Sequence, residues 1–299
     1  MGLEKIFNMK IANLVCFVLV SCFAGCSTEP PGGSPPGYDL GRPEKYVMSE
    51  DLHEISGIVF LGNSADTLCA IEDEDGRLFY FHPGERKFPS WKFGKKGDYE
   101  DVAILNHSEL VVLRSDGSLF TFPLSFVQDG NRDRVQEYEH ILPAGEYEGL
   151  YGDDSSLVAL CKNCKEDDQR DAASGYVLRH KDGQGLAITD HFTVDVSSVK
   201  ITSTRKKIKF HPSCLARHPI TRDWYIISAV NKVMLILDDH WTVKASYPLN
   251  IYLFKQPEGL AFDLKGNMYI SNEGDEGDAN VLLFPYNQPK RYEKDPKNH

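Results

Sequence analysis

Pro257-Glu258-Gly259-Leu260-Ala261-Phe262-Asp263, followed by Gly266-Asn267-Met268-Tyr269-Ile270-Ser271, contains the building unit of this chain: an acidic anchor, an apolar strand-like run, then a second run. The plan recurs upstream. Ser56-Gly57-Ile58, Glu100-Asp101-Val102, Glu148-Gly149-Leu150 and Ser213-Cys214-Leu215 open the other four segments, at spacings of 44, 48, 65 and 45 residues. One interval therefore carries an insertion. Each unit continues with a middle apolar run: Thr67 to Ile71, Glu109 to Leu113, Ser156 to Leu160, Trp224 to Ser228 and Asn267 to Ser271. A third follows at Leu78 to Phe81, Leu119 to Phe122, Tyr176 to Leu178, Val233 to Leu237 and Val281 to Phe284. Asp75-Gly76 and Asp116-Gly117 stand between second and third runs as hairpin turns.

A period of about 45 residues with three or four short strands is the signature of a β-propeller blade. The expected fold is all-β, a five-bladed propeller over residues 46–288, with six blades as the alternative count. Tyr46-Val47-Met48 is positioned to supply a closing strand, which removes the exposed edge of an open ring. A β-sandwich would not explain the recurring anchor. Trp91, Trp224 and Trp241 are read as core between blades.

The innermost strand of a blade lines the central channel, so the anchor sits near the channel mouth. Three blades place Glu there (Glu100, Glu148, Glu258) and two place Ser (Ser56, Ser213), with Glu54 two residues before Ser56. Carboxylates converging on one axis repel each other unless a cation is present. Calcium suits such a ring, since it takes six to eight oxygen ligands in flexible geometry, whereas zinc wants His or Cys. The metal-ligand candidates are Glu100, Glu148, Glu258 and Glu54, with calcium as cofactor; the competing reading has each Glu bonding backbone amides of the next blade. Asn231 and Asn272 are weaker candidates for the mouth, because Asn is ordinary in turns.

Residues 1–26 read as a secretory signal: Lys5 and Lys10, then an apolar run from Ile11 to Phe23, then small residues. Leu19-Val20-Ser21-Cys22 resembles a lipoprotein box, and Phe23-Ala24-Gly25-Cys26 is a second, poorer one; Cys22 and Cys26 are the lipidation candidates. Residues 27–45 form a Pro/Gly-rich linker and residues 289–299 a polar tail. The expected location is a bacterial envelope, with the outer membrane favoured because Ser27 rather than Asp follows Cys26. The chain has 33 Lys+Arg against 44 Asp+Glu, net −11, which argues against nucleic acid as a partner. Cys161-Lys162-Asn163-Cys164 has no second pair at zinc spacing, so a local disulfide or two idle thiols are expected.

Glu54-Ile55-Ser56-Gly57-Ile58, Tyr147-Glu148-Gly149-Leu150 and the 257–263 and 266–271 stretches together resemble the SdiA-regulated family of bacterial envelope proteins. That resemblance, over about residues 46 to 286, implies a five-bladed propeller distantly similar to NHL-repeat propellers, with a calcium site and no established activity. Ser213-Cys214-Leu215 and the long charged stretch from Cys161 to Phe210 depart from the pattern.

Two functional classes follow. One is a lipid-anchored binding or scaffold module, calcium-loaded, with a protein or small-molecule ligand on a propeller face. The alternative is a calcium-dependent hydrolase of a small ester, lactone or phosphoester, with a Glu anchor and His211 as its machinery. No Gly-x-Ser-x-Gly elbow, HExxH or phosphate loop is present, and the ten His lack paired-ligand spacing. Hence no catalytic residue is assigned, and the binding module is preferred. Glu72-Asp73-Glu74-Asp75-Gly76 lacks the terminal Glu of an EF-hand, with Gly at position 84, and reads as a solvated hairpin loop.

Overall fold

The computed structural model describes residues 33–62, 66–126, 131–165, 167, 172–199, 209–274 and 277–288. The signal segment, Cys22, Cys26 and the tail from 289 lie outside the described residues, as do Ser203 to Ile208.

Strand β1 (Glu44–Val47) comes first. Blade one holds β2 (Ile55–Phe60), β3 (Leu68–Glu72), β4 (Arg77–Phe81) and β5 (Ser90–Lys92), and blade two holds β6 (Tyr99–Leu105), β7 (Glu109–Arg114), β8 (Leu119–Pro123) and β9 (Gln136–Tyr138). Blade three holds β10 (Gly145–Gly152), β11 (Leu157–Cys164), β12 (Ala172–Lys181) and β13 (Gly185–Asp195). Blade four holds β14 (Cys214–Arg217), β15 (Trp224–Ser228), β16 (Val233–Leu237) and β17 (Val243–Pro248); blade five holds β18 (Pro257–Phe262), β19 (Met268–Asn272) and β20 (Asn280–Phe284). Each blade is a four-stranded antiparallel sheet, and β1 is the outermost strand of blade five, pairing Tyr46 with Val281. The protein is a five-bladed β-propeller closed by its own N-terminal strand.

Inner and middle strands are buried on both faces because neighbouring blades cover them. All five residues of β3, β15 and β19 are buried, so these strands read as continuous apolar runs rather than alternations. Five apolar clusters fill the interblade spaces, one for each pair of adjacent blades. Between blades three and four, Trp241 stacks on Phe192 at 3.5 Å and on Trp224 at 4.5 Å between ring centroids. The insertion in the long interval is in part the β12–β13 hairpin, paired from Ala172↔Asp195 to Lys181↔Gly185. Within the stretch read as linker, Tyr38 and Leu40 are buried against blades four and five, and Tyr38 Oη donates to the Gly266 carbonyl at 2.5 Å.

Candidate functional site

Each innermost strand begins at one end of the channel, and a change of pairing register re-aims its anchor. Pairing skips Glu100 between Tyr99 and Asp101, Glu148 between Tyr147 and Gly149, and Glu258 between Pro257 and Gly259. A residue left out of the ladder at a bulge is free to point elsewhere, here into the channel mouth. Blade one has a comparable shift between Ile55 and Ile58, around Ser56. Blade four pairs from Cys214 without one, and Ser213 turns back to accept the Ala229 amide at 3.1 Å.

The second anchor position is where the inner strands approach most closely. A Cβ on Gly57 would lie 2.5 Å from Asp101 Cα, and one on Gly259 would lie 2.6 Å from the Ser56 carbonyl. Asp101 occupies this position in blade two, fully enclosed. Its carboxylate accepts the Val102 amide at 2.8 Å and the Leu150 amide of blade three at 2.7 Å. The interblade bond weighed for the glutamates is thus made by Asp101, one residue beyond the anchor.

The mouth is a cavity of about 470 Å³. Six acids line it: Asp73, Asp98, Glu100, Glu148, Glu258 and Glu273; Lys162, Lys232 and Lys255 oppose them. The cations only partly balance the acids. Lys162 pairs with buried Glu148, and Lys232 Nζ donates to the Lys255 carbonyl. Burial, then Asp98, pushes the Glu100 carboxyl up to about 9, against the charge of Lys162. Glu258 rises to about 7, chiefly through burial, with Lys162 and a hydrogen bond from Ser213 opposing the rise. Burial and then Glu258 raise Glu273 to about 7; burial and then Glu273 and Glu54 raise Asp73 to about 7.

Glu54, Asp73 and Glu273 form a close group: one carboxylate oxygen from each lies within 4.8 Å of the others. Two ligands on one calcium, at about 2.4 Å each, sit no farther apart than this. Among the described residues Asp73 Oδ1 is buried without a hydrogen-bond partner, a buried polar atom that calls for a physical explanation. Gln256 donates to Glu273, and His53 Nδ1 lies 2.8 Å from Glu54 Oε1. This all-oxygen donor set fits calcium, which would supply positive charge to the mouth.

Glu100, Glu148 and Glu258 thus come together at the mouth, while Glu54 joins a cluster at its edge. Asp73, Asp98, Glu273 and Lys162 were not identified from the sequence. Asn272 is one residue short: its side chain turns to Asn280, and Glu273 reaches the cavity instead. Nor is the 72–76 stretch merely a solvated loop. Glu72 is buried and accepts the Glu74 and Asp75 amides at 3.0 and 2.7 Å, which holds Asp73 toward the mouth. Asn231 braces a turn, accepting the His211 amide at 3.0 Å. His211 Nδ1 lies 3.1 Å from the Lys162 carbonyl, away from the cavity wall. Cys161 and Cys164 form a disulfide that brackets Lys162, while Cys69 and Cys214 are free and buried.

Fold and site together define a class: a five-bladed propeller whose channel opens on a carboxylate cluster. No family model matches the chain, and no curated protein matches it. Among solved structures it is similar to a streptogramin B lyase, at 13% identity over 78% of this chain and 65% of that one, with a TM-score of 0.41. Virginiamycin B lyase from Staphylococcus aureus gives 14% identity over 78% and 66%, with a TM-score of 0.43. A chain of a nidogen/laminin complex gives 13% identity over 73% and 72%, with a TM-score of 0.46. The chain spans just under two thirds of the length of the two lyase chains. The propeller assignment rests on the five sheets themselves, and these likenesses pass no chemistry to this chain.

Proposed function

We propose that this protein is a calcium-binding propeller of the SdiA-regulated type, anchored to a bacterial outer membrane by lipid on Cys22 or Cys26, and that it works as a binding or scaffold module. The observation that carries the calcium reading is the Glu54–Asp73–Glu273 cluster with its unpartnered Asp73 oxygen. Calcium there would neutralise acids that now repel each other and would tie blade one to blade five, where β1 closes the ring. Strand β1 runs from the far end of the channel toward the mouth, because it is antiparallel to β20. A lipid-anchored chain would therefore approach the propeller from the far face and present its calcium mouth away from the membrane.

Thermal melting tests the metal half of this reading. Millimolar calcium is expected to raise Tm by several degrees over chelated protein, and magnesium to do less, because its octahedron is stricter. An unchanged Tm with both cations contradicts it. Labelling with a radioactive fatty acid tests the anchor: label is expected on the wild type and lost from Cys22→Ala or Cys26→Ala.

One observation favours the hydrolase as a second reading. His53 Nδ1 lies 2.8 Å from Glu54 Oε1, which sets an imidazole beside the proposed metal where it could exchange a proton with a substrate. Calcium-dependent cleavage of aryl esters or lactones that His53→Gln abolishes would establish it; no turnover would leave the binding module.

A further inference from the structure

The far end of the channel opens on a second cavity of about 470 Å³, built from different chemistry. Its inner wall comes from the third anchor residue of every blade: Ile58, Val102, Leu150, Leu215 and Leu260. All five are aliphatic, and each is also packed into one of the interblade clusters, so they meet the cavity only with their innermost surface. They leave a ligand's body no side chain to hydrogen-bond, so a polar body would lose its hydration without replacement.

The rim is polar and lopsided. Asp153 Oδ1 accepts the Ser155 and Ser156 amides, both at 2.9 Å, and Asp263 Oδ1 accepts the Lys265 and Asn267 amides at 2.9 and 2.8 Å. Asp154 pairs with His107 at 2.6 Å. The acids are thus occupied. Arg217 and Arg222 form no ion pair among the described residues. Arg217 lies over the Trp224 ring at 5.1 Å and spends its Nε on the Arg222 carbonyl at 2.9 Å, which leaves its two terminal nitrogens. Exposed Leu264 extends the apolar wall outward at the same rim.

We propose that this cavity is a binding site for an aliphatic carboxylate of the fatty-acid class, its chain on the five aliphatic residues and its carboxylate on Arg217 and Arg222. A guanidinium fork matches a carboxylate in two parallel hydrogen bonds, and a site with two arginines and an aliphatic wall selects an anion with an apolar body. The site stands independently of calcium, which belongs to the other end of the channel.

Calorimetry with sodium decanoate, below its micelle concentration, tests the assignment on the full chain. The expected result is one equivalent bound, at least tenfold weaker binding of decanol, and at least a tenfold loss of decanoate affinity in Arg217→Gln/Arg222→Gln. Because Arg217 packs on Trp224, Arg222→Gln alone is the second variant; its side chain is exposed and forms no ion pair among the described residues, and the variant is expected to weaken decanoate while leaving Tm unchanged. Calcium binding is expected to be the same in all three proteins, so failure here and failure of the calcium reading are distinguishable. No decanoate binding at millimolar concentration overturns the proposal, as does equal binding of decanol or undiminished binding by both variants. Association with phosphatidylglycerol vesicles without binding of free decanoate also overturns it, by making the face a membrane contact.

Discussion

Asp101 carries an acid where blades one, three and five carry glycine, and it spends both oxygens on amides of two different blades. Asp101→Ala would leave the Leu150 and Val102 amides buried without acceptors, at about 1 to 3 kcal/mol each. Urea denaturation is therefore expected to show a loss of about 2 to 6 kcal/mol, with the fold retained. His218 makes a second residue-level prediction. It is fully buried, its Nδ1 accepts the Ile220 and Thr221 amides at 3.1 Å, and burial lowers its pKa to about 4. The unfolded chain, near 6.5, binds a proton that the folded chain refuses, so this group's stabilisation is complete above pH 6.5 and declines as pH falls toward 4, by up to about 3 kcal/mol. In metal-free protein the mouth carboxylates, whose pKa values are raised, act in the opposite sense: their share of stability grows as pH falls from about 9 toward 5. Comparison with His218→Asn, which keeps an acceptor for the two amides and cannot titrate, isolates the histidine. Melts from pH 7 to 4.5 are expected to fall more steeply for the wild type than for the variant.

At the scale of the element, β1 makes the ring closed rather than open. A chain beginning at Met48 would lose the Tyr46 and Val47 pairing with β20 and the burial of Tyr38 and Leu40. Those two side chains alone contribute about 2 kcal/mol each, and β20 would become an unpaired edge. A loss of at least about 4 kcal/mol in urea melts is expected, with concentration-dependent association in size-exclusion chromatography; a monomer of wild-type stability would contradict the closure argument. The inner and middle strands were legible because blades bury them on both faces, so Met234-Leu235-Ile236-Leu237 declares itself as an apolar run. Outer strands were not. Strand β17, Val243-Lys244-Ala245-Ser246-Tyr247-Pro248, alternates half-buried and exposed residues, and Gln136-Glu137-Tyr138 in β9 has almost no apolar signal. The anchor glutamates were legible from their recurrence. The bulges that aim them were not, because a pairing offset depends on the partner strand. Asp73 and Glu273 stayed hidden for a similar reason: each falls just past a middle strand, in blades whose anchors are Ser56 and Glu258, and only closure of the ring brings blade one beside blade five.

For the whole molecule, the channel has two ends of opposite character. The mouth crowds acids from blades one, two, three and five, against three lysines, while the far end has an aliphatic wall and a rim of two arginines and three aspartates. Burial raises four carboxyl groups at the mouth together, and neighbouring acids add to the rise at Asp73, Glu100 and Glu273, a state that a bound cation would relieve. Calorimetric titration of calcium into the purified chain, beside Asp73→Asn/Glu273→Gln and Glu100→Gln/Glu258→Gln, tests this most directly. The expected result is about one equivalent bound by the wild type, none by the first variant, and binding by the second weakened but kept, since its carboxylates face the cluster across the cavity. An absence of heat and of any Tm shift at millimolar calcium, or undiminished binding by folded Asp73→Asn/Glu273→Gln, would contradict the account.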